Sequence, residues 1–228
     1  AEDGSGTDLE IRGLRGPHDA TRDPVRIGLP GRHLAIDGLM AAAGAAAAGV
    51  PGAEILAALP SFEGVGRRFE LKGEVDGVTV LDDFAHHPTA MRATFAAARL
   101  RYPGRRLWAV HEPLTFHRTA AMLEAFAEVL AEADRVAVID IWAVRDRDTS
   151  ISSAAVLAEA TSRRIGMPVE APGSPEATAD YLAGQVEPGD VVLVMGGGRS
   201  YVAAARLVEL LRQRVTDRSP GPSGDANP

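Results

Sequence analysis

Residues 80–95 read VLDDFAHHPTAMRATF, so that aliphatic residues lead into two acids, two histidines and a proline that opens an amphipathic run. Apolar residues recur every three to four positions after Pro88, which predicts a helix, and proline is common in a first helical turn. The acids before it are then expected to cap that helix. This density of titratable groups is equally compatible with metal binding, acid/base chemistry or nucleotide contacts.

The residues before this corner predict a β-hairpin. Hydrophobic and polar residues alternate over residues 67–82 on both sides of Asp76-Gly77, a dipeptide that favours a type I′ turn. After the corner, helix and strand patterns alternate. The predicted helices are 89–102, 119–133, 152–165, 174–186 and 200–215, and the predicted strands are 105–112, 135–142, 167–171 and 190–198. This order predicts an α/β fold, with a mostly parallel, Rossmann-like sheet, an initial β-hairpin and helices on both faces.

The two ends of the chain differ from this pattern. Residues 1–25 are polar and carry one strand-like run, 8–14, so an edge hairpin or a loose arm is expected. Two short helices, 33–50 and 52–62, follow it. Residues 216–228 are rich in Pro, Gly, Ser and Asp without periodicity, which indicates disorder. The predicted units are therefore 1–64, 65–214 and a disordered tail, 215–228.

Composition excludes several functional classes. The net charge is −7 and no basic face is evident, so nucleic acid is not an expected partner. The chain has no cysteine, which excludes disulfides and thiolate zinc sites and fits a cytoplasmic location. Pro51-Gly52 interrupts the longest apolar stretch, so no membrane span is expected. The single lysine, Lys72, follows no glycine-rich loop, so the phosphate loop of P-loop proteins is absent.

Residues that could bind a ligand or take part in acid/base chemistry follow four predicted strands. In parallel sheets such groups gather at the carboxyl ends of the strands, so four loops are expected to share one rim. They are Asp82 to His87, His111 to Pro113, Asp140 to Asp148, and Gly196 to Arg199.

Each group has an ordinary structural alternative. Asp83 and His87 belong to a conceivable two-His, two-Asp metal site, but helix capping is favoured. The triple glycine either approaches a phosphate or forms a tight strand-to-helix turn, and the turn is favoured. The arginines of residues 144–150 either hold a substrate or face solvent. Arg118 opens a helix, where its cation opposes the helix dipole, so a bound anion and plain solvation are equally favoured.

The run 61–99, SFEGVGRRFELKGEVDGVTVLDDFAHHPTAMRATFAAAR, resembles the junction between the central and C-terminal domains of the Mur ligases. These are ATP-dependent enzymes that add amino acids or peptides to UDP-N-acetylmuramic acid. The similarity is greatest to the alanine-adding and murein-peptide members. It extends over about residues 25–213, through the strand motifs near residues 105–119, 132–146 and 189–198.

The resemblance implies a mechanism and a set of roles. Such ligases phosphorylate a carboxylate with ATP, and the amine attacks the acyl phosphate. The central domain holds most of the ATP and Mg²⁺, while the C-terminal domain closes over ATP and brings the amino acid. The implied ATP contacts are His33, Asp37, Arg68 at the phosphates and Asp83 at the ribose; the implied substrate contacts are Phe84, His86, His87, His117 and Arg118. No metal ligand and no catalytic residue is implied within this chain alone.

Two departures from the family's motifs change the expected substrate contacts. Residues 33–37 read HLAID where the family has His-Asn-x-x-Asn, so both amides are replaced and Asp37 offers only acceptors. Residues 113–118 read PLTFHR where alanine-adding members have Pro-His-Arg-aromatic-x-Arg. One of two arginines for the amine's carboxylate is thus Thr115, and an amine unlike alanine is expected.

The family's UDP-binding domain, phosphate loop and magnesium carboxylates have no counterpart here, so the chain alone is expected to be inactive. One interpretation is the C-terminal portion of a divergent Mur-like ligase, with residues 1–64 as a remnant of the central ATPase domain. The alternative is a stand-alone, non-catalytic or complementing module that binds a separate ATPase chain or itself. A third interpretation, another nucleotide or cofactor on the sheet, rests on fold analogy alone.

Overall fold

The protein is described by a computed structural model that covers residues 2–14, 22–143, 146 and 148–218. Two sheets organise these residues. The first is antiparallel and contains β1 (Glu2–Asp3), β2 (Gly6–Arg12) and β3 (Arg22–Ile27). The expected edge hairpin therefore exists as β2 and β3, and a third short strand extends it.

Two helices follow the small sheet, α1 (Arg32–Ala47) and α2 (Gly52–Ala58). The first ends three residues before the predicted position, because Gly49 adopts a left-handed φ of 89° and Pro51 follows. The second gives way to a 3-10 turn at Leu59–Ser61, where Pro60 lacks a backbone donor. Both helices pack on the small sheet through Ile11, Val25, Ala42, Ile55 and Leu59.

The second sheet has six strands and confirms the predicted α/β class. Its elements, in chain order, are β4 (Glu70–Val75), β5 (Val78–Asp83), α3 (Pro88–Arg101), β6 (Leu107–Glu112), α4 (Phe116–Ala121), α5 (Leu123–Leu130), β7 (Arg135–Ile139), α6 (Ala154–Ile165), β8 (Glu170–Gly173), α7 (Pro175–Ala183), β9 (Val191–Gly196) and α8 (Ser200–Arg218). The strand order is β4-β5-β9-β6-β7-β8. Only β4 and β5 are antiparallel within this sheet. The last strand of the chain therefore lies in the middle of the sheet.

The hairpin turn has the predicted type. Asp76 and Gly77 have φ values of 52° and 75°, and positive φ at both central positions defines a type I′ turn. Arg214 and Arg218 each lie 3.0 Å from the Asp76 carboxylate, which ties α8 to this turn. This helix therefore continues beyond residue 215, into the predicted tail. The rest of that tail, 219–228, lies outside the described residues.

The predicted helix over 119–133 is two helices, separated at Met122, whose φ and ψ are −117° and 21°. The first of them starts earlier than predicted, because Thr115 caps it: the Thr115 hydroxyl accepts from the backbone N–H of Arg118 at 3.3 Å.

Helices cover both faces of the large sheet. On one face α3, α5 and α6 bury Phe95, Phe126 and Leu157, and on the other α7 and α8 bury Leu182 and Leu207. The core on the α3, α5 and α6 face also contains three residues from β3, the loop after it and α1, which are Ile27, Leu29 and Leu34. Among the described residues, every helix is too short or too polar to form a transmembrane span.

Candidate functional site

The carboxyl ends of β5, β9 and β6 lie side by side and form one rim. Asp83 pairs with Met195, and Met195 pairs with His111, both in parallel register. The loop after β7 reaches the same rim, since the Thr115 N–H donates to the Trp142 carbonyl at 3.3 Å. The predicted convergence of four loops is confirmed for the residues that the structure describes.

A carboxylate from the neighbouring strand caps the start of α8. Glu112 is buried and accepts hydrogen bonds from the backbone N–H groups of Gly198, Arg199 and Ser200 at 3.1, 3.0 and 2.9 Å. Burial raises the pKa of Glu112, while these N–H groups act in the opposite direction. A bound phosphate would use the same donors at a helix N-terminus. An internal anion therefore occupies the position that a phosphate would take. The sequence interpretation missed this role, although an acid that ends a buried strand was a usable signal.

The glycines of this turn are required by close packing. A Cβ atom at Gly196 would lie 2.8 Å from Cβ of Glu112, and one at Gly198 would lie 2.6 Å from Cγ of Trp142. Both distances are shorter than van der Waals contact allows. The favoured interpretation of a tight turn is thus confirmed, and phosphate is not needed to explain the glycines.

Asp83 connects the hairpin to α3. Its carboxylate is buried, and it accepts from the N–H of Phe69 at 2.8 Å, the N–H of Ala85 at 2.8 Å and the hydroxyl of Thr94 at 3.3 Å. Both oxygens are thus engaged within the chain. The ribose contact implied for Asp83 stays a prediction, and it requires one of these bonds to be exchanged.

The N-cap of α3 is a histidine, so the expectation of an aspartate cap is wrong. His87 is exposed, and its Nδ1 accepts from the backbone N–H of Thr89 at 3.3 Å. Asp83 cannot serve as the cap because its oxygens are turned towards Phe69 and Ala85. Within the described ranges, no group of three or more His, Cys, Asp and Glu side chains is placed to hold a metal ion. The alternative of a two-His, two-Asp metal site has no support here.

Arg67 fastens the loop before β4 to the centre of the rim. Its guanidinium donates to the carbonyls of Gly198 and Gly196 at 3.2 and 2.6 Å and to the hydroxyl of Ser200 at 2.9 Å. The residue adopts a left-handed φ of 61°, a strained conformation for a non-glycine residue. Sequence reasoning assigned Arg67 no role, because its partners lie far away along the chain.

Arg68 and Phe84 lie next to Arg67. The guanidinium groups of Arg67 and Arg68 both contact the Phe84 ring, at 5.1 and 5.6 Å from its centroid. Arg68 is exposed, and within the described part of the chain its guanidinium makes no hydrogen bond or ion pair. His86 packs edge-on against Phe84 at 5.3 Å, and its Nδ1–H donates to the Phe84 carbonyl at 2.9 Å. This places the proton on Nδ1 and leaves Nε2 as the acceptor of the ring.

Two buried titratable groups lie beneath the rim. Asp82 is fully buried with its Oδ2 3.3 Å from Nε of Arg67, and burial, opposed chiefly by Arg67, raises the pKa of Asp82 to about 6. His111 is fully buried, stacks on the Phe126 ring at 5.3 Å, and has its pKa lowered by burial to about 3. The imidazole of His111 is therefore neutral near pH 7.

The short helix α4 carries the predicted amine-binding residues. Asp146 accepts from the backbone N–H of Phe116 and, at 3.1 Å, from Nδ1–H of His117. These bonds, with that from the N–H of His117, outweigh the effect of burial and lower the pKa of Asp146. Arg118 is half-buried, and its guanidinium contacts no acceptor among the described residues. The loop arginines Arg145 and Arg147 lie outside the described residues.

His33 and Asp37 lie on α1, which is not one of the elements that form the rim. His33 is half-buried beside Gly31, and a Cβ at Gly31 would lie 2.9 Å from its Cε1. Asp37 is exposed and lines a groove that Arg68 also borders. Arg68 further borders a second cleft of about 450 Å³, between the two sheets. The structure thus brings Asp37 and Arg68 to one groove. The predicted substrate contacts follow the ends of β5 and β6 instead; they are Phe84, His86, His87, His117 and Arg118.

Comparisons with known proteins agree with this architecture. The family described as Mur ligase, glutamate ligase domain, matches residues 67–198. A UDP-N-acetylmuramate–L-alanine ligase of Mycobacterium marinum is 40% identical over 204 residues, which are 88% of this chain and 41% of that protein. The chain thus spans about two-fifths of the length of this relative.

Solved structures share the fold of this chain. The crystal structure of a UDP-N-acetylmuramate–alanine ligase from Thermotoga maritima has a TM-score of 0.74 at 20% identity, with coverage of 95% of this chain and 45% of that one. A murein peptide ligase from Psychrobacter arcticus has a TM-score of 0.63 at 26% identity, with coverage of 92% and 42%. With the match of residues 67–198 and the relative at 40% identity, the chain belongs to the Mur ligase family.

Proposed function

We propose that this chain covers the nucleotide and presents the amine in an ATP-dependent amide ligase, as the C-terminal portion of a divergent Mur-type enzyme. In this proposal, residues 1–64 belong to the central ATPase domain and residues 65–214 form the C-terminal domain. The observation that carries it is Arg68, an exposed guanidinium without an acceptor among the described residues, held over Phe84 next to the anchored Arg67. A free cation on an anchored loop suits the charge that develops on a transferred phosphoryl group.

The proposed chemistry has two steps. A substrate carboxylate oxygen attacks the γ-phosphorus of ATP, and ADP leaves with the electrons of the broken P–O bond. The amine nitrogen then attacks the acyl phosphate, the tetrahedral intermediate expels inorganic phosphate, and the nitrogen gives up a proton to form the amide. Arg68 stabilises phosphoryl charge in the first step, and Arg118 holds the amine's acidic end in the second.

The amine site differs from that of the alanine-adding members in the side chains it offers. Leu114 and Thr115 occupy motif positions that hold His and Arg there. With one arginine in place of two, alanine is expected to be a poor substrate and a different amine or amino acid the preferred one.

ATP and Mg²⁺ are proposed to be held mainly by the part of the assembly that corresponds to the central domain. Glu112 fills the anion position at α8, which argues against a nucleotide held by this sheet alone. That central part lies on the same polypeptide or on a separate ATPase chain. The absence of cysteine fits a cytoplasmic enzyme.

A chimeric ligase tests the proposal. This chain would replace the matched segment of the M. marinum enzyme, and phosphate release would be measured with UDP-N-acetylmuramic acid, ATP and a panel of amino acids. We expect amine-dependent release that Arg68→Ala lowers about 100-fold or more. The matched control, Arg163→Ala on α6, should leave the rate unchanged, because in the described part of the chain Arg163 is exposed and its one ion pair is with the exposed Glu159. Amine-dependent release that is unaffected by Arg68→Ala would refute the role of Arg68.

A non-catalytic or complementing module is the second candidate, and the replacement of both family amides by Leu34 and Asp37 favours it. In that case the chimera would fold and bind ATP without releasing phosphate for any amine. Self-association or capture of an ATPase chain would then be the remaining activity.

A further inference from the structure

The side chain of Arg67 crosses from the loop that carries Arg68 to the start of α8. Besides its hydrogen bonds to the turn before that helix, its guanidinium lies between two aromatic rings. It is 5.1 Å from the centroid of Phe84 and 5.2 Å from that of Tyr201. Cation–π contacts on both faces add to the hydrogen bonds, so this guanidinium is held in one place.

The backbone on both sides of Arg68 is strained. Arg67 and Phe69 have left-handed φ values of 61° and 51°. Such conformations cost free energy in residues other than glycine, and they persist only where the surroundings hold them. The Arg67 carbonyl accepts from the N–H of Phe84 at 2.8 Å. The N–H of Phe69 donates to the Asp83 carboxylate, also at 2.8 Å.

The side chain of Arg68 depends on its neighbour for its position. Among the described residues its guanidinium makes no hydrogen bond or ion pair, and it contacts the Phe84 ring at 5.6 Å. Arg67 contacts the same ring. Two cations on one ring repel each other, so the place of one guanidinium restricts that of the other.

Asp82 is a buried carboxylate that the proposed chemistry does not use. Neither of its oxygens has a hydrogen-bond partner in the described part of the chain, and its Oδ2 lies 3.3 Å from Nε of Arg67. A buried ion pair adds little net stability, because lost hydration offsets the attraction, but it becomes costly when one partner moves away. Asp82 therefore resists displacement of the Arg67 guanidinium.

We propose that Arg67 and Asp82 are positioning residues for Arg68. Asp82 keeps the guanidinium of Arg67 in place, and Arg67 holds the strained loop that presents Arg68 to the transferred phosphoryl group. Neither Arg67 nor Asp82 is proposed to touch the substrate. The inference rests on the proposed function and adds the two residues that place its cation.

Amide hydrogen exchange in this chain alone tests whether the two residues fix the loop. The measurement is made at pH 8, where Asp82 with its pKa of about 6 is ionised. Exchange of the Phe84 amide, which donates to the Arg67 carbonyl, should rise about tenfold or more in Arg67→Lys. Lysine keeps the charge but lacks the planar fork that reaches several acceptors. Asp82→Asn should raise the same exchange to a smaller extent, and unchanged exchange in either variant would overturn the role of that residue.

Arg105 provides a matched control at the opposite end of the large sheet. Among the described residues its guanidinium donates four hydrogen bonds, to the hydroxyl of Thr79 and the carbonyls of Gly77, Gly189 and Asp190. Arg105→Lys therefore removes the same kind of contact far from Arg68. It should leave both the Phe84 amide and phosphate release unchanged. Faster exchange at Phe84 in this control would indicate general loosening and would overturn the inference.

A double-mutant cycle in the M. marinum chimera tests whether the pair acts through Arg68. Arg67→Lys should lower kcat for amine-dependent phosphate release about tenfold or more, while KM for ATP and for the amine changes less than about twofold. In an Arg68→Ala background the same substitution should lower kcat less than about twofold, because the residue that it positions is already missing. Equal losses in the two backgrounds would show a merely structural role and overturn the inference. If Arg67→Lys does not fold, Asp82→Asn takes its place in the cycle, since asparagine has the size of aspartate.

Failure of this inference and failure of the proposed function give different results. A chimera without amine-dependent release, or with release that Arg68→Ala leaves unchanged, rejects the proposed function. The exchange measurement then still decides whether Arg67 and Asp82 fix the loop. Release that depends on Arg68 but not on Arg67 rejects the inference alone.

Discussion

The carboxylate of Glu112 accepts a hydrogen bond from the backbone N–H of Ser200 at 2.9 Å, although the two residues lie 88 positions apart in the sequence. The N–H groups of Gly198 and Arg199 donate to the same carboxylate, and the three bonds together fix the end of β6 to the start of α8. They join two of the loops that form the rim and occupy three backbone N–H groups, those of Gly198, Arg199 and Ser200, that an external anion would otherwise use.

Replacement of Glu112 by Gln should destabilise the fold. The amide keeps one acceptor oxygen but turns an NH₂ group towards backbone donors, so buried polar groups lose partners. We expect a loss of about 1–3 kcal/mol in the free energy of unfolding. Urea denaturation measures it, with Glu159→Gln on the exposed face of α6 as the control, which should change by less than about 0.5 kcal/mol. Equal stability of the two variants would show that this cap is dispensable.

Asp82 should make stability fall as the pH rises from about 4 to about 6. Its pKa is raised to about 6 in the fold from an ordinary value of 3.8, so in this range the folded state binds more protons than the unfolded state. Asp82→Asn should remove this contribution. Unfolding free energies of both proteins at pH 4.5 and pH 7 provide the test. If the variant and the parent lose the same stability over that interval, Asp82 is not the titrating group.

His111 should have the opposite effect. Its pKa is lowered to about 3 from 6.5, so the unfolded state binds the proton first when the pH drops below 6.5. Stability carried by neutral His111 is therefore present above pH 6.5 and is lost as the pH falls towards 3. A His111→Phe variant should lose less stability than the parent between pH 7.5 and pH 5, as thermal unfolding at the two pH values would reveal. A larger loss in the variant would contradict the assignment.

Local signals predicted most of the fold. The Asp76-Gly77 turn, Pro88 at the start of α3 and the alternation of strands and helices all depend on neighbouring residues, and the structure confirms them. The cap by His87 was missed because aspartate is the commoner capping residue.

The site was less predictable because its contacts join distant residues. The Arg67 guanidinium reaches the Gly198 carbonyl across 131 positions, and no local pattern encodes such a pair. Likewise, Asp146 caps α4 from another loop. The resemblance to Mur ligases pointed to Arg68 and Arg118, whose side chains the structure leaves without acceptors in its described part.

Arg118 should govern affinity for the amine in the chimeric ligase. Removal of its guanidinium in Arg118→Ala leaves the amine's carboxylate without its cation, so KM for the amine should rise about tenfold or more while KM for ATP stays constant. Arg118→Lys should recover part of the loss, because lysine keeps the positive charge but cannot form the bidentate hydrogen bonds that a guanidinium makes with a carboxylate. Equal effects on the two KM values would indicate a general structural role instead.

The most direct measurement is isothermal titration of this chain alone with ATP and Mg²⁺. If the chain covers a nucleotide that another part of the assembly grips, binding should be weaker than a Kd of about 10 μM, or about −7 kcal/mol. Tighter binding would contradict the claim, because the chain would then hold ATP by itself.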